Sequence, residues 1–245
     1  MRTLLKLKRP LSPARHAALS EALLQFALEQ VPSIVEERHH GDLVYAGGDD
    51  IIALLPLEAA FACANDLRSA YSRDFEDARF FMGSKATMSG GIAVAHHRSP
   101  LRAALEAARQ AERSAKDSGR NALGIAVLRR SGEHAECVAP WTVIPAFVDL
   151  AKSFEAGATD RWAYRLRAEL DALGALPHDG FLAELRRLIG RTEREPEDSR
   201  VQTKVMALLA DYTEWARGRM AEAELRRGFS TLVQSAAFVA RGGGR

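Results

Sequence analysis

Apolar positions recur along this chain with two different periods, and the change from one to the other divides it. Leu19, Leu23, Phe26, Ala27, Val31 and Ile34 follow helical spacing. They predict a helix over 13–37, opened by Ser12 as N-cap and Pro13 in the first turn. Two short apolar runs come next, Leu43-Val44-Tyr45-Ala46 and Ile51-Ile52-Ala53-Leu54-Leu55. They read as strands near 42–46 and 51–55, joined as a hairpin by Gly47-Gly48-Asp49-Asp50. Pro56 ends the hairpin and opens a helix over about 57–72, with Ala60, Cys63, Ala64 and Leu67 on one face. Tyr71 to Lys85 reads as a loop, and Thr87 to His96 as a buried strand weakened by glycine at its start. Ser99-Pro100 repeats the cap-then-proline signal. Leu101, Leu105, Ala108 and Ala115 then mark a third helix ending at Ser118-Gly119. Leu123 to Leu128 is the last apolar strand. This order predicts an α+β sheet with helices packed on one face.

Beyond Gly132 only the helical period remains. Helices are expected at about 141–155, 160–173, 180–189, 199–217 and 221–240, punctuated by Gly157, Gly174-Ala175-Leu176-Pro177, Gly190 and Pro196. The expected organisation is therefore an α+β domain over 1–135 and an all-α domain over 136–245. Trp141, Trp162 and Trp215 are expected to pack the helical domain, and the Gly242-Gly243-Gly244-Arg245 tail to be disordered.

Composition narrows the function classes. Of 245 residues, 47% are hydrophobic and 27% charged, with a net charge of +2, which fits a soluble globular protein without a strongly basic nucleic-acid arm. Cys63 and Cys137 lack metal-ligand spacing and fit a reduced, cytoplasmic setting as small packed residues. No apolar stretch reaches membrane-spanning length and no signal peptide is legible, so neither export nor anchoring is expected. His39-His40 and His96-His97 do not have the spacing at which histidines converge on a metal. The Arg186-Arg187 and Arg226-Arg227 pairs read as solvated helix faces, with contact to RNA backbone or a partner as the alternative.

The chemistry concentrates at the hairpin tip. Gly47 and Gly48 accept backbone angles that other residues avoid and leave room for a ligand. The adjacent carboxylates of Asp49 and Asp50 repel one another unless a positive charge lies between them. A divalent cation answers that need, and a cation at such a tip suggests chemistry on phosphates. Neighbouring strand residues point to opposite faces, so both acids serve one site only if Asp49 still belongs to the turn. Alone, such a tetrapeptide is also an ordinary polar turn.

Four stretches in order make the reading more specific: Leu-Ser-Pro-Ala-Arg-His-Ala-Ala-Leu-Ser (11–20), Leu-Val-Tyr-Ala-Gly-Gly-Asp-Asp-Ile-Ile-Ala-Leu-Leu-Pro (43–56), Met-Ser-Gly-Gly-Ile-Ala-Val-Ala-His-His (88–97) and Ser-Ala-Lys-Asp-Ser-Gly-Arg-Asn-Ala-Leu (114–123). Together they resemble the large polymerase-cyclase subunit of type III CRISPR effector complexes, in its second Palm domain and the helical domain after it. The resemblance implies a ferredoxin-like Palm fold that is activated by target RNA. It also implies an activity that joins ATP into cyclic oligoadenylate second messengers. In that role Asp49 and Asp50 hold Mg²⁺ or Mn²⁺, and Gly47 and Gly48 let the nucleotide lie against the backbone. Lys116 and Arg120 resemble the cations that meet the triphosphate, although cations at a helix C-terminus also suit the dipole unaided. Ser89 and Gly90 border the base or ribose. The implied partners are the other subunits of the effector complex, guide RNA and target RNA.

The sequence departs from the family pattern at its start. There the family has a strand carrying another metal-binding aspartate, whereas Met1 to Pro10 contain no acid. Three explanations stay open. Leu5-Lys6-Leu7-Lys8 fills the slot without the ligand, a separate chain supplies the strand and upstream domains, or the sequence is a piece of a longer gene. A catalytically silent scaffold binding RNA and partner subunits is the rival function. A free-standing diguanylate-type cyclase is a third reading, disfavoured because Asp50-Ile51 replaces that family's Glu-Phe.

Overall fold

The computed structural model describes residues 12–75, 86–129, 134–174, 176–191 and 196–242. The expected strand at Leu5–Lys8, most of the loop up to Lys85 and the last three residues of the glycine-rich tail lie outside these. The chain forms two compact units, Met1–Met88 and Ser89–Arg245.

In the first unit, helix α1 (Pro13–Gln25) continues into two widened π-helical turns, Phe26–Gln30 and Ser33–Arg38. Pro32 sits between them and has no N–H to give the ladder, a standard cause of local helix distortion. The widened turns close with i to i−5 bonds, Val31 N–H to the Phe26 carbonyl and His39 N–H to the Ile34 carbonyl. The predicted 13–37 helix is thus helical throughout but not uniformly α. Its inward side, Phe26, Val31, Ile34 and Val35, packs with Cys63, Leu67 and Ala70 of α2 (Leu57–Asp74). Arg38 and His39 both reach Asp66 of α2, at 3.2 and 3.0 Å, which pins the end of the distorted helix. Strands β1 (Asp42–Gly47) and β2 (Asp50–Leu54) pair antiparallel. The register slips between Leu43 and Tyr45, a bulge at the exposed Val44.

The second unit is a three-stranded sheet embedded in helices. Strand β3 (Gly90–Ala95) runs parallel to β4 (Ala122–Leu128), and β5 (His134–Pro140) returns antiparallel to β4. Helix α3 (Leu101–Asp117) makes the crossover from β3 to β4. It lies so close that a Cβ on Gly91 would stand 2.1 Å from the Ala108 carbonyl oxygen, and one on Gly124 2.0 Å from that of Ala111. Small residues continue this contact: Ala111 and Ala126 form a buried cluster with Ala93, Ala95, Ala103 and Ala107 around it. Every residue of β4 is buried. Gly124 and Ala126 face α3, while Leu123 on the opposite face meets Gly90 and the neighbourhood of Trp141. The expectation of helices on one face is therefore corrected in this unit. An all-apolar strand flanked by a parallel neighbour needs cover on both sides.

Strand β5 also corrects the reading of Leu123–Leu128 as the last strand. Its alternation was present in the sequence: His134 and Glu136 are exposed, whereas Ala135, Cys137 and Ala139 are buried. This strand carries the chain directly into Trp141 and the helices, so the compact unit runs across the 135/136 boundary expected from composition. The remaining helices are α4 (Ile144–Glu155), α5 (Arg161–Ala168), α6 (Leu170–Gly174), α7 (His178–Gly190), α8 (Pro196–Ala216) and α9 (Glu222–Ala240). Trp162, Phe147, Phe181 and Phe229 are fully buried among them. Tyr212 of α8 donates to the Val138 carbonyl of β5 at 3.1 Å, tying helix to sheet.

Arg226 overturns the solvated-face reading of the Arg226-Arg227 pair. It is 1% exposed. Its Nη1 donates to the Leu173 and Leu176 carbonyls at 2.7 and 2.9 Å, and its guanidinium lies 4.7 Å from the Phe181 ring centroid. It serves carbonyls at and just past the end of α6, that of Leu173 also accepting the Leu176 N–H at 3.2 Å. Arg187 instead pairs with Glu184 on its own helix. Among the described residues no helix is long and apolar enough to cross a membrane.

Candidate functional site

The hairpin tip meets the condition that the sequence set, that Asp49 lie in the turn. Gly47 pairs with Asp50, leaving Gly48 and Asp49 as a two-residue turn. Gly48 has φ +61° and Asp49 does not share the left-handed region, the pattern of a type II′ turn with glycine first. Asp49 therefore belongs to the turn and Asp50 begins β2, so the opposite-face objection for adjacent strand residues is removed. Both acids are exposed.

Two tyrosines frame this tip, and sequence reasoning assigned neither of them a role. Tyr45, half-exposed, lies along Gly47: a Cβ there would stand 2.3 Å from the Tyr45 Oη. Gly47 thus gives the phenol its place as well as clearing backbone. Tyr71 packs in an aromatic group with Phe26 and Phe75. Burial pushes its phenol above the ordinary tyrosine range, and the negative charge of Asp49 adds to the rise. The available signal for Tyr71 was its position in the last turn of a helix that follows the hairpin, too weak to use alone.

The donor chemistry suits a hard divalent cation. Mg²⁺ is typically held by one or two carboxylates, the remaining positions going to water and substrate phosphates. Two adjacent exposed carboxylates meet that description. Among the described residues no three His, Cys, Asp or Glu side chains group as a metal site. His39 is committed to Asp66, and the His96 and His97 rings stack with centroids 4.2 Å apart.

The other expected residues lie in the second unit. Lys116, in the last turn of α3, pairs with Glu112 one turn back. Arg120 stands just past the helix end with φ +66°, between Gly119 at +102° and Asn121 at +51°. Three successive left-handed residues are unusual, and the two non-glycine ones each cost about 1–2 kcal/mol. The Arg120 N–H reaches the Ala115 carbonyl at 3.1 Å, closing a Schellman cap with Gly119 as the left-handed residue. Ser89 accepts the Asn121 N–H on its Oγ at 3.1 Å, so this hydroxyl braces the same loop. Gly90 is hemmed in, since a Cβ there would meet Leu123 at 3.1 Å and Trp141 at 3.4 Å. The structure thus groups Gly47, Gly48, Asp49 and Asp50 at one tip. It groups Ser89 and Arg120 around one loop, with Lys116 one turn before it.

Comparison with known proteins agrees with the motif. Residues 1–124 match the family profile described as Cas10/Cmr2, second palm domain. The chain is 32% identical over 232 residues to the CRISPR system Cmr subunit Cmr2 of Pyrococcus furiosus, an alignment that spans 91% of this chain and 26% of that protein. It is 36% identical over 72 residues to the CRISPR system CMR subunit Cmr2 of Saccharolobus solfataricus, spanning 29% of this chain and 7% of that one. The chain thus covers about a quarter or less of the length of these curated relatives.

Proposed function

Because this chain belongs to the Cas10/Cmr2 family through its second palm domain, we propose that it makes cyclic oligoadenylates from ATP within a type III CRISPR effector complex. The observation that carries the proposal is the hairpin tip, where a two-residue turn sets Asp49 beside Asp50 with both carboxylates exposed. The relatives are named as Cmr subunits. By extension, the partners of this chain are other subunits of such a complex, with guide and target RNA.

The reaction is a phosphoryl transfer. A ribose 3′-oxygen bonds to the α-phosphorus of the next ATP, the bond from that phosphorus to the β-bridging oxygen breaks, and pyrophosphate departs with the electron pair. The hydroxyl proton leaves to solvent. Such reactions depend on positioning and charge neutralisation more than on a dedicated nucleophile. Asp49 and Asp50 hold Mg²⁺ or Mn²⁺, which when bound lowers the pKa of the hydroxyl and offsets charge on the phosphates. Gly47 and Gly48 keep the backbone open to the nucleotide. Lys116 and Arg120 take phosphate oxygens, Lys116 exchanging its Glu112 carboxylate for them. Ser89 and Gly90 border the ribose or base, Ser89 acting through the loop it braces.

The test is ATP conversion by the chain in its complex, with target RNA and Mn²⁺. The unaltered protein is expected to release pyrophosphate and cyclic product, and the double variant Asp49→Ala/Asp50→Ala to release neither while melting normally. Turnover that survives the double substitution sinks the assignment. No product from either protein under any condition leaves the scaffold reading in its place.

A further inference from the structure

The loop after α3 is held from a direction the family motif does not include. Arg219 sits in the turn between α8 and α9. Its Nη1 donates to the Ser118 carbonyl at 3.2 Å, and its guanidinium lies 5.6 Å from the centroid of the Trp215 ring. The same nitrogen stands 2.3 Å from where a Cβ on Gly119 would be. Arg219 therefore crosses the left-handed glycine of the cap and fastens the carbonyl just before it. Its own base is fixed, because the Arg219 N–H bonds to the Ala216 carbonyl at 2.9 Å and α8 is tied to β5 through Tyr212. Resting on the reading of Lys116 and Arg120 as phosphate-holding residues, we propose that Arg219 is a positioning residue that sets the phosphate-binding loop from the helical part of the chain.

Three points support this. First, Gly119, Arg120 and Asn121 hold left-handed angles in succession, a conformation that persists only where the surroundings over-determine it. Second, the bonds that hold this loop among the described residues include Arg120 N–H to Ala115, Asn121 N–H to Ser89, and Arg219 to Ser118. The first comes from the helix before the loop, the second from the residue just before β3, 32 residues away, and the third from 101 residues away in sequence. Third, Arg219 suits the task as lysine would not. A planar guanidinium stacks on the indole and donates sideways to a carbonyl at once, whereas an ammonium does only one of these well. A consequence is that movement of the α8–α9 turn is passed through one hydrogen bond to Ser118, which precedes Gly119 and Arg120 in the loop.

The test measures Mn²⁺–ATP affinity by titration calorimetry on the full chain, with tripolyphosphate as a second probe. Losing one charge-assisted tie is worth about tenfold in affinity. Arg219→Ala is expected to weaken both probes by about that factor. Because Arg219 is exposed, its melting temperature should stay within about 2 °C. Arg219→Lys should recover part of the loss. Affinity within twofold of the unaltered chain for Arg219→Ala would overturn the inference. If Asp49→Ala/Asp50→Ala abolishes ATP uptake while Arg219→Ala does not change it, the inference alone fails. If the unaltered chain takes up no ATP, both the inference and the reading beneath it fall.

Discussion

Gly124→Ala is the sharpest probe of how α3 is seated. The added Cβ would stand 2.0 Å from the Ala111 carbonyl oxygen and 2.9 Å from the Ala111 Cα, both backbone atoms that no rotamer can move. Restoring ordinary contact at 3.4 Å means a retreat of the helix by about 1.4 Å at that point. A radial gap of about 0.5–1 Å already forfeits a quarter to a half of a dispersion contact. The retreat therefore loosens Ala103, Ala107 and Ala111 from Ala93, Ala95 and Ala126 together. Overpacking of a close-packed site costs about 1–3 kcal/mol, and a backbone clash belongs at the upper end. In a chain of this size 1 kcal/mol moves the melting temperature by about 2–4 °C, so a fall of about 6–12 °C is expected in calorimetry. Gly190→Ala is the control: nothing lies within 4 Å of its Cβ and its φ is not left-handed, so no loss is expected and a small gain is allowed. Gly124→Ala melting within about 2 °C of the unaltered chain would refute the close seating of α3 on the sheet.

Other tests reach different parts of the molecule. Arg226→Ala removes a buried donor from the Leu173 and Leu176 carbonyls and is expected to cost about 1–3 kcal/mol, read by urea unfolding, with little rescue by Arg226→Lys. Burial pushes the Cys63 thiol up to about 11 and Cys137 up to about 12 from the usual value near 9. Both should resist iodoacetamide at pH 8 in the native protein and react on unfolding. Because folding raises these values, their contribution to stability is present below about pH 9 and fades as pH climbs toward 11–12. A melting temperature that rises from pH 9 to 11 would contradict that sign.

Much of this was legible in the sequence because local signals agreed with the final packing. Pro13, Pro56 and Pro100 mark helix starts within a residue or so, and the two-glycine tip fixes its hairpin. The misses share a cause: each depends on a partner far away in the chain. Strand β5 needed the register of β4 to show that its short alternation is a strand and not a linker. Arg226 looked like a surface residue because its carbonyl partners lie about fifty residues earlier. The roles of Gly91 and Gly124 come from the passage of α3, and those of Ser89 and Arg219 from the loop they brace. At the tip, the two glycines and two acids between apolar runs were legible as a hairpin turn. The places of Tyr45 and Tyr71 were not legible, since an aromatic beside an acid has no fixed offset to search for.

The most direct measurement is electron paramagnetic resonance of Mn²⁺ titrated into the chain with a non-hydrolysable ATP analogue. It needs no activating RNA. The expected result is a loss of the free-ion signal beyond that caused by the nucleotide alone with the unaltered protein, and no loss beyond the nucleotide's own with Asp49→Asn/Asp50→Asn. Equal Mn²⁺ uptake by both proteins, or by neither, would contradict the claim that these two carboxylates hold the ion that meets the nucleotide.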